Sequence, residues 1–372
     1  MRLLEATAFV LLSAALAAPV NAQTARSTTP VPVAEPPVPS DPLELVTGDA
    51  QPITDPTQRA KIIDLLLAAH RNSNVRSQPY DLKTSFTISG SLSAGQWQEE
   101  DTSPGGGQYR WTVEGPGYSS ATLTVDRVTY SSQASATLPL RLMQVREAIF
   151  KPEAIVRQYA TLRTANASLN GTDLVCALVT HNANAPAAMG GRRWEEQEWC
   201  VDPNAGTLVT FSAAPGQYLH YDYSKGLRYN GKQIPNGFTI TQAGQTIIEA
   251  LTESVAAPTE NAAAFQPAGL NQLGVGPVMS LAASEFRMTL PRAASPGTAL
   301  QVVALHGMMS PAGELSDLEV LASSDSSLNE AALAFAKAGI RTPGSQEGAA
   351  PQAREMIMIL RYAPSSAALP EQ

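Results

Sequence analysis

The chain has 372 residues, of which 44% are hydrophobic and 16% charged, and its formal net charge is −8. This apolar content is ordinary for globular domains, and the length allows two domains with connecting segments. The acidic balance lacks the basic surface that nucleic-acid binding requires, so no nucleic-acid partner is expected. It also disfavours strong binding to an anionic membrane surface.

The N-terminus has the three-part layout of a secretory signal. Arg2 precedes an apolar run over residues 6–20, and Val20-Asn21-Ala22 forms a small-residue cleavage site. We predict that residues 1–22 are a cleaved signal peptide, which makes the mature chain periplasmic. The apolar run is short for a membrane span, which needs about 20 residues. The alternative is that residues 1–22 are retained as an inner-membrane anchor.

A Pro-rich segment and a helix follow the signal. Residues 23–53 contain seven prolines and little core-forming content, which predicts a disordered spacer. A helix is predicted from Thr57 to His70, because Asp55 suits the N-cap and Pro56 suits the first turn.

Short alternating segments dominate the chain from residue 80 to residue 255. Strand patterns at a spacing of about ten residues predict an antiparallel sheet. Helical patterns at about 139–150 and 153–163 interrupt them, and strands then resume. Together these elements predict one α+β domain over residues 55–255, followed by a linker rich in small residues at 256–277.

The end of this region carries a family resemblance. In "IPNGFTITQAGQTIIEALTESVAAPTENAAAFQP", residues 234–267, two strands follow a Pro-Asn-Gly turn and lead into an Ala-rich tail. Through this segment and through the order of its strands and helices, the region resembles the LolA/LolB-like lipoprotein-carrier fold. The resemblance implies a curved antiparallel sheet whose hollow is covered by helices and binds a lipid or other hydrophobic ligand. The alternative is that the aromatic residues simply fill a core. They are the tyrosines together with Trp97, Trp111, Trp194 and Trp199.

Two cysteines, Cys176 and Cys200, lie in strand-like segments. An even number of cysteines in an oxidising compartment favours a disulfide. Such a bridge would close a loop of about 25 residues and stabilise the fold by about 3 kcal/mol. Free thiols are one alternative. A metal site with His181 is another, but this set lacks the fourth ligand that zinc requires, so no metal is expected.

No recognised catalytic constellation occurs in the sequence. The chain has four histidines and lacks G-x-S-x-G, H-E-x-x-H and Walker patterns. A cluster of charged residues is most simply a solvated strand face. Its members are Arg192, Arg193, Glu195, Glu196 and Glu198. We therefore expect no catalytic residue and no cofactor, and we expect that the chain is not an enzyme.

The C-terminal part has its own order of elements. "LQVVALHG" (300–307) and "LSDLEVL" (315–321) predict two strands, and a helix with a capping box at Ser327 ends at Gly339. "EMIMILRY" (355–362) predicts a last strand. The order is therefore β-β-α-β.

Over residues 296–363 this unit resembles the TonB C-terminal domain. The residues that carry the resemblance are Val302, Gly313, Ser323-Ser324, Leu328-Asn329, Ala331-Ala332 and Pro343. Family members add a partner strand at the exposed edge of the last strand, so the resemblance implies a docking edge. This edge comprises Met356, Ile357, Met358, Ile359, Leu360, Arg361 and Tyr362. The alternative is that Arg361 and the tail, residues 365–372, blunt the edge.

The predicted fold class is α+β, with a curved antiparallel sheet domain with helices followed by a small β-β-α-β domain at 278–364. We expect a non-enzymatic periplasmic binding or adaptor protein. Its C-terminal domain would dock an envelope protein, such as an outer-membrane receptor or transporter, by strand addition. One alternative is a membrane-anchored TonB-type energy transducer for outer-membrane transport. Another is a carrier of a lipid or other hydrophobic ligand in the N-terminal domain.

Overall fold

The computed structural model describes most of the chain after residue 34. The described residues are 35–41, 44–46, 50–134, 138–150, 161–180, 191–259, 261–275, 286–295, 300–310, 314–339 and 353–364. The predicted signal peptide, the first part of the Pro-rich spacer and the C-terminal tail lie outside these ranges. Within them, no helix combines the length and the apolar character needed to cross a membrane.

Most of the described strands belong to one open, curved antiparallel sheet. The strands up to residue 275 are β1 (Gln51–Pro52), β2 (Tyr80–Ile88), β3 (Gly95–Gly105), β4 (Gln108–Gly115), β5 (Tyr118–Val125), β6 (Val128–Ser131), β7 (Thr161–Leu169), β8 (Thr172–Thr180), β9 (Gln197–Asp202), β10 (Thr207–Ala214), β11 (Gln217–Asp222), β12 (Arg228–Tyr229), β13 (Lys232–Gln233), β14 (Gly237–Gln242), β15 (Gln245–Ala256) and β16 (Asn271–Val275). Their order in the large sheet is β1-β7-β8-β9-β10-β11-β14-β15-β2-β3-β4-β5-β6-β16, while β12 and β13 pair separately. The antiparallel α+β architecture predicted for this region is confirmed.

Helix α1 (Pro56–Ser73) covers one face of β7–β10. Asp55 is its N-cap and accepts hydrogen bonds from the backbone N–H groups of Thr57 and Gln58 at 3.2 and 3.1 Å. The cap provides an acceptor for N–H donors that the first turn leaves unpaired. Pro56 is tolerated in this turn because its missing N–H would have had no acceptor within the helix. Leu66 and Ala69 on the apolar face are buried against the strands. The predicted helix is confirmed and extends three residues further than expected.

Helix α2 (Leu140–Phe150) is buried on almost every side. Its apolar residues share a core with Trp97 and Trp111 of β3 and β4, and also with Phe238 and Ile248 of β14 and β15. These four strands are close together in the strand order, with only β2 between the two pairs, so α2 packs against the central part of the curved sheet. Of the second helical stretch, predicted at 153–163, residues 153–160 lie outside the described ranges and the last three residues are strand, because β7 begins at Thr161.

The segment before β1 covers the opposite face of β8 and β9. Val46 and Ala50 pack in one core with Cys176 and Cys200, which form a disulfide between directly paired positions of β8 and β9. Further along, the indole N–H of Trp194 donates to the carbonyl of Pro36 at 2.8 Å. The described part of the spacer is therefore not disordered, because its few apolar side chains find a sheet face to bury against. This corrects the prediction for residues 35–41, 44–46 and 50–53, and the other residues of the predicted spacer lie outside the described ranges.

The expected linker at residues 256–277 contains part of the large sheet. β16 pairs antiparallel with β6, from Asn271 opposite Ser131 to Val275 opposite Val128. The linker prediction is corrected for this stretch. Its sequence is rich in small and polar residues, so the strand is specified by pairing with a neighbour that is distant in the chain, which local pattern does not show.

The C-terminal part forms a smaller sheet of four described strands. They are β17 (Phe286–Ser295), β18 (Gln301–Met309), β19 (Leu315–Ser323) and β20 (Arg354–Pro364), with α3 (Asn329–Gly339) between β19 and β20. Their order in the sheet is β17-β20-β18-β19. The predicted β-β-α-β unit is therefore preceded by one more strand.

The position of β20 corrects the predicted docking edge. β20 pairs in parallel with β17 and antiparallel with β18, so Ile357 has Arg287 on one side and His306 on the other. Both faces are occupied as well. Met356, Met358, Leu360 and Tyr362 pack in the core that includes α3, whereas Ile357 and Ile359 pack with residues of the large sheet. The stretch Met356–Tyr362 is interior to its sheet and is not an exposed edge.

Candidate ligand cleft beside the second helix

A buried ionic cluster fixes α2 inside the curved sheet. Arg146 of α2 is 1% exposed and donates to Oδ2 of Asp101 on β3 at 2.6 Å. The hydroxyl of Tyr80 donates to the other carboxylate oxygen at 2.7 Å, and the hydroxyl of Tyr109 donates to Oδ2 at 2.6 Å. The guanidinium also lies 4.6 Å from the centre of the Trp111 ring, within cation–π range. This buried charge is therefore compensated through Nη2 and the aromatic face, while its Nε and Nη1 have no hydrogen-bond partner among the described residues.

The electrostatics of the cluster follow from its burial. Burial raises the pKa of Glu99 to about 7, against the opposing effect of Arg146, whose Nη1 is 3.8 Å away. Burial also raises the pKa values of Tyr80 and Tyr109 well above the ordinary value. Both phenols therefore stay protonated at neutral pH and act as hydrogen-bond donors to Asp101.

An open cleft of about 670 Å³ lies directly beside this cluster. Tyr80 and Tyr109 belong both to the cluster and to the cleft wall. Thr122 and Thr124 point into the cleft because they alternate along β5, which places both on the same face. The β3–β4 hairpin forms the rim of the cleft with Gly105–Gly107. All three residues have a positive φ, a backbone conformation that glycine adopts without strain.

Two arginines line the cleft from different elements. Arg76 comes from the short turn after α1, and Arg127 comes from the β5–β6 turn. The guanidinium of Arg76 lies 5.2 Å from the centre of the Phe150 ring, at the end of α2. The described lining residues include no aspartate or glutamate. The cleft is thus a basic, hydroxyl-rich cavity within an acidic chain.

A second arginine of α2 links the large sheet to the C-terminal sheet. Arg141 binds Glu319 of β19 and donates to Oε1 of Gln242 at 2.7 Å. The side-chain amide of Gln242 is 3.3 Å from Nδ1 of His306, whose Nε2 is 2.5 Å from Glu355. This continuous polar network lies between the two sheets, so the position of α2 depends on both.

The charged cluster at residues 192–198 is buried, which corrects the prediction of a solvated strand face. Arg163 of β7 makes two hydrogen bonds to the carboxylate of Glu196, at 2.8 and 2.7 Å. Arg192 donates to the backbone oxygen of Glu196 and to Ser212. Glu198 lies beside them with a pKa that burial raises. The contacts of Arg163 with Glu196 and of Arg192 with Ser212 connect this segment to β7 and β10, so the cluster stabilises the large sheet.

The predicted site residues have different positions in the structure. Cys176 and Cys200 are joined by a disulfide and lie within 4.8 Å of a carboxylate oxygen of Glu198. Their sulfurs are covalently paired and cannot act as thiolate ligands for a metal. The strand Met356–Tyr362 is not an edge of its sheet, as described above.

Sequence reasoning did not identify the residues of the cleft. The available signal was the pair of arginines in "LRLMQVREAIF", because charged residues in an otherwise apolar helix usually need a buried partner. Arg76 and Arg127 carry no such signal, since exposed arginines are common. Only the folded sheet brings them to one cleft.

Comparisons with known proteins find similar folds at low identity. No family model and no curated protein matches the chain. Similar solved structures include a LolA superfamily protein from Nitrosomonas europaea, with 12% identity, 55% of this chain and 96% of that chain covered, and a TM-score of 0.37. The MucA/MucB complex of Pseudomonas aeruginosa has 16% identity, with 59% of this chain and 64% of that chain covered and a TM-score of 0.26. LprF from Mycobacterium bovis has 11% identity, with 54% of this chain and 95% of that chain covered and a TM-score of 0.23. Likeness of this size does not establish membership of a family, and the resemblance of the C-terminal part to TonB stays a prediction from sequence.

Proposed function

We propose that this chain is a non-catalytic periplasmic protein that binds an amphipathic ligand, such as a lipid, in the cleft beside α2. The observation that carries the proposal is the cleft itself. Its volume of about 670 Å³ falls within the range of small-molecule sites, roughly 300–1,000 Å³. It also opens next to α2, which packs inside the curved sheet, so a bound ligand can extend into the space that α2 now occupies.

The interior around α2 suits the apolar part of such a ligand. Trp111, Val113 and Ile240 contact this helix in the main core of the large sheet. If α2 moves outward, these side chains form an apolar wall that a hydrocarbon chain can cover. Hydrocarbon burial stabilises by roughly 25 cal/mol per Å² of apolar surface, which replaces the contacts that the helix gives up.

The ion pairs that hold α2 are compatible with outward movement of this helix from the interior of the sheet. Arg141 and Arg146 hold it through ion pairs, of which Arg146–Asp101 is almost fully buried on both sides and Arg141–Glu319 is buried at the arginine. Buried ion pairs contribute little net stability, because the desolvation of both charges offsets their attraction. When α2 moves outward, Arg146 and Asp101 both regain water, so the pair adds little to the cost of opening while it still fixes the closed position.

The proposed location rests on two features of the chain. Residues 1–22 have the layout of a secretory signal. The Cys176–Cys200 disulfide is a second feature, because disulfides persist mainly in oxidising compartments. The sequence resemblance of residues 234–267 to lipoprotein carriers agrees with a ligand-binding role there.

Ligand binding is tested with the purified chain and a fluorescent fatty-acid probe, together with mass spectrometry of co-purified lipids. We expect probe binding in the wild type and at least a tenfold loss in Thr122→Trp, which fills the cleft. Ser119→Trp, on the exposed face of the same strand, is the matched control and should bind like the wild type. Absence of both probe binding and co-purified lipid would exclude the proposed function.

Docking of an envelope protein is a second candidate function. Strand addition would have to use an end strand of the described C-terminal sheet, which is either β17, where Pro291 has no backbone N–H to donate, or β19. β19 carries Asp317 and Glu319, and charges on an edge strand disfavour pairing with another chain. Ligand binding is therefore the preferred proposal. Mass spectrometry of the mature N-terminus separates a cleaved periplasmic protein from an anchored energy transducer, since only the transducer keeps residues 1–22.

A further inference from the structure

We infer that the ligand in the cleft carries an anionic oxygen group, of the phosphate or carboxylate class, and that Arg76 and Arg127 bind it. The inference rests on the proposed function and specifies its ligand. Both guanidinium groups line the cleft, from two elements that are distant in the chain. Guanidinium groups donate hydrogen bonds in a fixed fork that matches carboxylate and phosphate geometry.

The charge balance of the cleft is opposite to that of the chain. The chain has a formal net charge of −8, whereas the described residues that line the cleft include two arginines and no carboxylate. None of the salt bridges between described residues involves Arg76 or Arg127. Two positive charges that have no ion-pair partner among the described residues lie in one concave site, and they attract an anion because the low-dielectric walls focus their field.

The buried acid behind the cleft does not cancel this attraction. Asp101 is the carboxylate that contacts the cleft tyrosines, and it accepts from Tyr80, Tyr109 and Arg146. Its charge is therefore compensated by a full positive charge and by two hydroxyl donors. An anion in the cleft meets tyrosine rings and hydroxyl groups at this wall instead of an unpaired negative charge.

Neutral donors complete the site. Ser77 and Thr122 line the same cleft, and their hydroxyls can donate hydrogen bonds to an oxyanion, whereas Ser103 donates to the backbone oxygen of Gln108 and Thr124 is hydrogen-bonded to Thr129. The glycines of the hairpin rim have open space where a Cβ would stand at Gly106 and Gly107, so a ligand can approach their backbone closely. The site thus offers two charged and several neutral donors on different sides of one cavity.

Calorimetric titration of the full chain with matched amphiphiles tests the inference. The probes are dodecyl phosphate, neutral dodecyl maltoside and inorganic phosphate. We expect dodecyl phosphate to bind at least tenfold more tightly than dodecyl maltoside, with an affinity that falls as salt increases. The double variant Arg76→Gln/Arg127→Gln should lose about tenfold for dodecyl phosphate and nothing for the neutral probe. Arg110→Gln, on the neighbouring strand and outside the cleft lining, is the matched control and should leave all affinities unchanged.

The outcomes separate the inference from the proposed function. Equal binding of both amphiphiles, unchanged in the double variant, overturns the anionic group and leaves amphiphile binding intact. No binding of either amphiphile overturns the proposed function. If inorganic phosphate binds as tightly as dodecyl phosphate and both are lost in the double variant, the anionic site is supported and its natural occupant is a free anion instead of a lipid headgroup.

Discussion

The guanidinium of Arg141 on α2 lies 2.6 and 2.9 Å from the two carboxylate oxygens of Glu319 on β19. Nη2 of Arg141 contacts both oxygens, and this ion pair joins the helix inside the large sheet to the C-terminal sheet. The two partners differ in environment, because the side chain of Arg141 is 3% exposed and that of Glu319 is 29% exposed. Outward movement of α2 must break this pair, so the C-terminal sheet stabilises the closed position of the helix.

The asymmetry of this pair predicts which partner is more costly to remove. Glu319→Ala leaves a buried guanidinium with amide acceptors alone, and we expect a loss of about 2–3 kcal/mol in the free energy of unfolding. Arg141→Met leaves a carboxylate that reaches water, and we expect a loss of about 1 kcal/mol. Urea denaturation measures both. Exposed Glu314→Gln is the control, with an expected change within about 0.5 kcal/mol. A larger loss in Arg141→Met than in Glu319→Ala would contradict this account.

The buried carboxyl of Glu99 predicts a pH dependence of stability. Burial raises its pKa from the ordinary 4.5 to about 7. Between these two pH values, Glu99 therefore keeps its proton in the folded state and has released it in the unfolded state. The stabilising contribution is complete below about pH 4.5 and is lost as the pH rises through 7. At about 1.36 kcal/mol for each pKa unit, the loss is about 3 kcal/mol.

Glu99→Gln keeps a neutral group at this position and should remove the effect. We expect the difference in unfolding free energy between pH 5 and pH 8 to shrink by about 1–3 kcal/mol in urea denaturation. Glu44, whose pKa burial also raises to about 7, remains in the variant, so some dependence persists. An unchanged difference between the two pH values would show that Glu99 does not titrate in this range.

Local signals in the sequence were sufficient for elements that depend on their own residues. Asp55 and Pro56 indicated the start of α1, and alternating patterns indicated the strands, because caps and strand faces are properties of short segments. The capping box at Ser327 was close but not correct. Asp325 is the cap of a short 3₁₀ turn there and accepts from the backbone N–H of Ser327 at 3.0 Å.

Features that depend on distant partners could not be predicted in the same way. Glu196 looked solvated because its neighbours are charged, yet Arg163, more than thirty residues earlier, covers it. The interior position of β20 follows from its parallel pairing with β17, a strand about seventy residues earlier in the chain. The cleft likewise needs the sheet to curve, since Arg76 and Arg127 come together only through tertiary structure.

The disulfide between Cys176 and Cys200 should contribute substantially to stability. The two residues are 24 positions apart and wholly buried, so the bridge restricts the unfolded chain without exposing sulfur in the folded state. We expect Cys176→Ala/Cys200→Ala to lower the free energy of unfolding by about 3 kcal/mol, measured by urea denaturation without reductant. The matched comparison is the wild type denatured in urea with a reductant, which breaks the disulfide of the unfolded chain. A change below about 1 kcal/mol would indicate that contacts with the segment before β1 already hold these strands together.

The interior position of β20 predicts a pattern of amide hydrogen exchange. An interior strand donates its N–H groups to neighbours on both sides, so all amides from Met356 to Tyr362 should exchange slowly, with free energies close to that of global unfolding. β19 serves as the internal comparison, because it pairs with β18 alone among the described strands, and alternate amides over Leu315–Ser323 should exchange faster. Exchange followed by NMR at single-residue resolution distinguishes the two patterns. If alternate amides of β20 exchange as fast as the outward-facing amides of β19, the strand has an open edge, and strand addition by a partner becomes feasible at Met356–Tyr362 after all.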